Sequence, residues 1–427
     1  MSETLTSAPQ QPVVDLAPWL PTTPPRPAAR QGNLLVVELT NPADLLPLQE
    51  AWLKLADQAA DPNVFYAPWV FLPAVQKFGE NHDWKIVLVF REFESSPQVP
   101  ELCGFFPFVR GEGKLRRWQW TLWMHPYCYL ASPLVMTGQE AEVFKAVWEY
   151  MDRNADGALC LTMPQVASDG TLHHGIVTAL RDQLRTEFVR EEYARAITQY
   201  PAGEGSGFTT LMASKHVREL RRKRRKLEEL GRVDFRGTPD ADELDLWIDQ
   251  FLKLEADGWK AQEGTAIAQD PAGPDFFRQV LKAGFEADRI RLEGLYLDDK
   301  PIAMKVLLIS PPAAFAFKIT FDESYYRFSP GVQLEVESLE RLPQDPRITL
   351  ADACSVPGHS MIDRVWPHRR LVRSLTVARR GVVPEIVVGL LPGLRAANRV
   401  VRRALSSTRR QPGPAGEKGS EDNSETR

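Results

Sequence analysis

Residues Phe315–Leu342, FAFKITFDESYYRFSPGVQLEVESLERL, carry the residue types and spacing best suited to chemistry. An apolar strand ends at Phe321-Asp322, and after a short loop Ser329-Pro330-Gly331 opens a helix. Serine is a favoured helix cap, proline suits the first turn, and glycine lets another group approach the backbone. Val332, Val336 and Leu339 then recur at helical spacing. The start of such a helix offers amide N–H groups without intrahelical acceptors, at the positive end of the dipole. Ser329, Gly331, Val332 and Gln333 are therefore candidates to cradle a pyrophosphate, the alternative being a plain helix cap. Lys318 lies inside the apolar strand. An unpaired ammonium there is expensive, so a salt bridge to Asp352 or Glu335 is expected.

Charge is concentrated a second time in Lys215, Arg218, Arg221, Arg222, Lys223, Arg224, Arg225 and Lys226, against one acid, Glu219. This helix is either a solvated face or an anion-binding one, for carrier phosphates, a polyanionic saccharide, tRNA or anionic lipid. Aromatic interleaving is absent, which argues against stacking on single strands. His216 and the His173-His174 pair lack metal-ligand partners at useful spacing, and no metal site is expected.

These features need a framework. The chain has 427 residues, 43% hydrophobic and 25% charged, the composition of a globular protein of two or three units. Its net charge of −4 excludes a globally basic nucleic-acid binder, and no DNA partner is expected. No apolar run is long enough to span a membrane, and no secretory signal is seen. Cys103, Cys128, Cys160 and Cys354 are far apart in sequence and are expected as small buried hydrophobes in a reducing, cytoplasmic setting. Residues 1–32 are proline-rich and expected as a mobile arm. Two α+β halves follow, at 33–200 and 201–381. Each reads as an antiparallel meander followed by a helix and another strand. Residues 382–427 mix an apolar run with arginines, then end in a loose tail. They are expected to lie on an anionic membrane surface, or to pack on a partner or on the chain's own domain.

Several ordered segments carry a resemblance: SKHVRELRRKRRKLEELG, EADGWK, GLYLDDKPIAM, FKITFDESYYRFSPGVQL and DACSVPGHSMIDRVW, with VFYAPWVF in the first half. Over roughly residues 60–380 the chain resembles the CelD-type, FemAB-like group of GNAT acyltransferases, also described as cellulose-biosynthesis acetyltransferases. The resemblance implies tandem GNAT-like domains, mixed and mostly antiparallel sheets flanked by helices, and an acyl donor such as acetyl-CoA. The acceptor it implies is a saccharide-related amine or hydroxyl. The sequence departs from simpler GNATs in lacking their pyrophosphate signature; SPGVQL stands in its place.

Direct acyl transfer needs a base for the acceptor's proton, amides for the oxyanion and an acid for the leaving thiolate. Asp322 and Asp352 are the candidate bases, expected close together. Tyr325 and Tyr326 are candidate acids, and Lys318 is a further candidate at the reacting centre. Arg218 and Arg222 are candidates for the CoA phosphates. Trp259, Lys260, Tyr66, Trp69 and Trp366 are candidates to line the acceptor cleft, although tryptophan more often fills cores. Two other readings stand beside this one. One is aminoacyl-tRNA-dependent transfer to a cell-wall precursor, and the other is a binding protein that kept the fold and lost the reaction.

Overall fold

The computed structural model describes residues 27–92, 100–111, 117–200, 214–258, 264, 266–358 and 361–393. Most of the predicted N-terminal arm, the tail from 394 on, Trp259 and Lys260 lie outside these residues. At the end of the proline-rich segment Pro27–Gln31 form β1, paired antiparallel with β2 (Leu34–Leu39).

The first half continues with α1 (Gln49–Asp57), α2 (Pro68–Phe78), β3 (Trp84–Arg91), β4 (Glu101–Arg110), β5 (Gln119–Leu122), β6 (Leu134–Val135), α3 (Glu140–Arg153), β7 (Cys160–Ala167), α4 (Gly170–Asp182) and β8 (Glu187–Gln199). The second half contains α5 (Ser214–Glu228), β9 (Val233–Arg236), α6 (Leu244–Ala256), α7 (Gly273–Glu286), β10 (Ile290–Leu297), β11 (Lys300–Ser310), β12 (Ala313–Phe321), α8 (Pro330–Arg341), β13 (Leu350–Asp352), α9 (Ile362–Val365) and β14 (His368–Ala378).

The two halves repeat one plan. β2, α1, α2, β3, β4, β5, α3, β7, α4, β8 corresponds in order to β9, α6, α7, β10, β11, β12, α8, β13, α9, β14. In each copy four antiparallel strands precede a helix, and the strand after that helix pairs in parallel: β5 with β7, and β12 with β13. All strands among the described residues join one sheet, in the order β1-β2-β3-β4-β5-β7-β14-β8-β13-β12-β11-β10-β9, with β6 on β4. The last strands are exchanged. β14 pairs with β7 of the first half, and β8 pairs with β13 of the second. The two exchanged strands also pair with each other from His368↔Ile197 to Val377↔Glu187. Each half thus closes its sheet with the other's final strand, which leaves neither an unpaired edge at the junction.

The turn from β10 to β11 has Asp298 and Asp299 at φ 46° and 68°, the left-handed pair of a tight hairpin. One apolar core runs across both halves and takes in Phe65, Phe71, Phe105, Phe277, Met304 and Phe315. A smaller core under α8 is built from Leu307, Ile309, Ala314, Leu339 and Trp366.

Candidate active site

The site is set by where β12 and β13 part. Their parallel pairing covers only Ala313↔Leu350, Ala314↔Ala351 and Phe315↔Asp352. Asp352 accepts the Cys354 amide at 2.7 Å, and Cys354 at φ 52° turns the chain off the sheet. β12 continues through Ala316–Phe321 without that neighbour. A parallel pair that opens in this way leaves a wedge beside the strand ends, where α8 begins.

Ser329 stands at the cap position of α8 with φ 55° and ψ 53° and makes no capping bond through its side chain. The expected serine cap is therefore absent: left-handed backbone turns the hydroxyl outward, where it accepts from Lys223 Nζ at 2.8 Å. Pro330 occupies the first turn as expected. Gly331 is buried, with the Phe321 ring 3.2 Å from where a Cβ would stand. The close approach that the glycine permits is thus made by the protein itself. Gln333 is buried and donates its amide to the Phe328 carbonyl at 2.9 Å, holding the turn. Val332 is half-buried and packs against the smaller core. A cleft of about 220 Å³ opens here, lined by His216, Glu219, Leu220, Lys223, Ser329, Val332, Met361, Arg364 and Val365.

α5 thus turns its 216/219/220/223 face to the cleft, an i, i+3, i+4, i+7 pattern. Arg218 and Arg222 are exposed and point elsewhere. The cation at the turn is Lys223, not the two arginines expected from sequence. Helical phase measured from the buried Leu227, four residues on, is the signal that could have found it.

A larger cleft, about 540 Å³, lies at the end of β12 between the last turn of α6 and the start of β11. Asp257, Gly258, Lys300, Phe321, Asp322, Glu323 and Ser324 are among its walls. Asp322 accepts from the Ser324 amide at 3.0 Å, capping the 3-10 turn Glu323–Phe328, and from Lys300 Nζ at 2.7 Å. Burial pushes its carboxyl up, but the bonds from Lys300 and Ser324 outweigh this and hold it below the usual range. Tyr325 lies with Lys300 Nζ 5.3 Å from its ring centre, and Tyr326 is exposed.

Asp352 and Asp322 do not meet. Asp352 is opposite Phe315, seven residues before Asp322, which is roughly 20 Å along β12 at about 3.3 Å per residue. Asp352 is fully buried, with Arg195 and Arg370 guanidinium nitrogens 3.7 and 3.8 Å from its Oδ2. Arg370 in turn binds Asp61 at 2.7 Å and Asp169 at 3.0 Å, tying the first half to the strand junction. Glu335 pairs with Lys305 at 3.1 Å, both fully buried. Neither expected partner of Lys318 is therefore its salt bridge. The Lys318 ammonium lies 4.9 Å from the ring centre of Tyr127, a cation–π contact.

Tyr127 donates its hydroxyl to Asp270 at 3.2 Å, and the Lys318 that it faces stands three residues beyond Phe315, where β12 loses β13. Burial, and then the Asp270 charge and hydrogen bond, push its phenol up, so it holds its proton at neutral pH. Burial likewise keeps the Cys354 thiol protonated. Tyr127 and Asp270 were missed in the sequence. Tyr127 sits in an aromatic loop, and only the pairing of a buried tyrosine hydroxyl with a distant carboxylate reveals it.

The described aromatic candidates for the acceptor cleft, Tyr66, Trp69 and Trp366, are core residues. Tyr66 is fully buried and donates to the Trp123 carbonyl at 2.8 Å. Trp366 is buried and donates Nε1 to Glu335 at 2.9 Å. Trp69 packs between the halves, its ring 2.8 Å from where a Cβ on Gly284 of α7 would stand.

Residues 214–353 match the family model described as acetyltransferase (GNAT) domain. No curated protein matches the chain. Among solved structures, FemX is similar over 80% of this chain and 98% of its own, at 8% identity and a TM-score of 0.55. A conserved protein of unknown function from Bacteroides thetaiotaomicron VPI-5482 is similar over 78% of this chain and 97% of its own, at 15% identity and a TM-score of 0.50. The chain therefore carries a GNAT-type acetyltransferase domain over 214–353, set within a tandem GNAT-like α+β fold.

Proposed function

We propose that the chain is an acyl-CoA-dependent acyltransferase whose acceptor is a saccharide-related amine or hydroxyl. One observation carries this reading. The cleft at the first turn of α8 is open, is bordered by Ser329 and Val332, and is supplied with a cation by Lys223, with Arg364 also lining it. Helix-start amides beside a fixed ammonium suit the diphosphate of a nucleotide-linked carrier. A carrier held there directs its acyl arm toward the parting of β12 and β13. At that parting Lys318 offers positive charge to a developing oxyanion, and Tyr127 offers a proton to the leaving thiolate. The acceptor's nucleophile attacks the thioester carbonyl and loses its proton to solvent, the acyl carbon–sulfur bond breaks, and the thiolate takes the Tyr127 proton, which solvent then replaces. The 540 Å³ cleft, with Asp257, Glu323 and Lys300 on its walls, suits a polar acceptor. Thiol release from acetyl-CoA, followed with a panel of amino sugars and polyols, tests the proposal. Release dependent on an acceptor and lost in Tyr127→Phe supports it; no release with any acceptor opposes it.

A second reading is favoured by the outward face of α5, where Lys215, Arg218, Arg221, Arg222, Arg225 and Lys226 are all exposed. Such a face suits a polyanionic donor, as in aminoacyl transfer from charged tRNA. Release of a labelled amino acid from charged tRNA separates the two.

A further inference from the structure

After β14 the chain forms a helix over 382–393, which has two apolar faces. One is already used: Val388 is fully buried and Leu391 packs beside it against Cys160, Ala378, Trp118 and Phe188. The other points away from the protein. Val382, Val383, Ile386 and Leu390 are 75, 61, 55 and 59% exposed, and 382, 386 and 390 fall on one line at i+4 spacing. No other helix among the described residues exposes such a row. The residues that follow are distinctive in charge. Between Glu385 and Glu417 the sequence has no acid and six arginines: Arg395, Arg399, Arg402, Arg403, Arg409 and Arg410. No helix among the described residues is long and apolar enough to cross a membrane.

We infer that this surface docks on an anionic lipid bilayer. An apolar row outside a helix whose other face is anchored inserts shallowly at the headgroup level, and arginines that follow it in sequence draw the segment to negative lipid. A second protein copy would satisfy the apolar row alone. The run of arginines without an intervening acid is what selects an anionic surface, because a second copy carries the same six positive charges and no acid among them.

The experiment is vesicle co-sedimentation of the full chain, with phosphatidylcholine vesicles and with vesicles containing 30% phosphatidylglycerol. Binding to the anionic vesicles, weakened by high salt, is expected, with far less on the neutral ones. Ile386→Asp with Leu390→Asp lies on the exposed row, so the fold survives, and should weaken binding about tenfold or more. Arg395→Ser, Arg399→Ser, Arg402→Ser and Arg403→Ser together should do the same. Equal binding to both vesicle types, no binding, or full binding by either variant overturns the inference. So does a dimer that Ile386→Asp with Leu390→Asp dissolves, since the row would then belong to a second copy.

Discussion

Lys223, on the inward face of α5, donates its ammonium to the Ser329 hydroxyl at 2.8 Å, so a single bond joins the basic helix to the turn that starts α8. Lys223 also lies 3.4 Å from Glu219, one turn earlier, which steadies it. Lys223→Ala should weaken acyl-CoA binding about tenfold, the scale of one charge-assisted hydrogen bond. Arg218→Ala and Arg222→Ala should change it little, since both point away from the cleft. Titration of the three variants by calorimetry checks this ordering.

Lys305 and Glu335 form a fully buried pair, with Ser338 accepting from Lys305 at 2.9 Å. Glu293 lies opposite Lys305 on β10, and burial pushes its carboxyl up. Lys305→Met would strand buried carboxylates and should cost about 3–5 kcal/mol. Lys305→Met with Glu335→Leu should recover part of that loss. Denaturant unfolding of the two variants measures the difference.

Asp345 precedes β13 and accepts from Arg347 Nη2 at 2.7 Å and Nε at 2.9 Å, with Arg291 also bound. The Arg347 bonds hold its carboxyl down at about 2 despite burial. The folded value lies below the unfolded one, so the group stabilises above the ordinary carboxylate range and loses that effect as pH falls toward 2. Asp345→Asn should therefore be less stable than wild type at pH 7, with the gap closing between about pH 4 and 2. Thermal melts across that range test the sign; a gap that widens on acidification would contradict it.

The exchange of β8 and β14 should make the halves unfold together. A single thermal transition is expected by both near-ultraviolet and far-ultraviolet circular dichroism. Two separated transitions would mean that each half closes its own sheet.

Much of this framework was legible in the sequence. The meander from Ile290 to Phe321 is apolar and breaks at its Asp-Asp and Pro-Pro pairs, and Pro330 marks the start of α8. The exchange of last strands was not legible, because β13 and β14 pair with residues more than a hundred positions away, and no local pattern records that. The same limit governed the site. Asp322 and Asp352 appeared to flank one helix, but β13 stops after three residues and leaves Asp352 far back along the sheet. Lys318 and Lys305 look alike in their strands. Only the register, which puts Lys305 opposite Glu293 and beside Glu335, tells which is the buried pair. Trp366 and Tyr66 have polar handles that suit a pocket equally well, and they spend them on Glu335 and the Trp123 carbonyl.

The central claim is that the cleft where α8 begins holds the phosphates of an acyl-CoA. Calorimetric titration of the full chain with acetyl-CoA, beside Lys223→Glu, tests it most directly. The account predicts saturable binding by wild type and a loss of about tenfold or more in Lys223→Glu. No heat of binding, or the same affinity in both proteins, would contradict it.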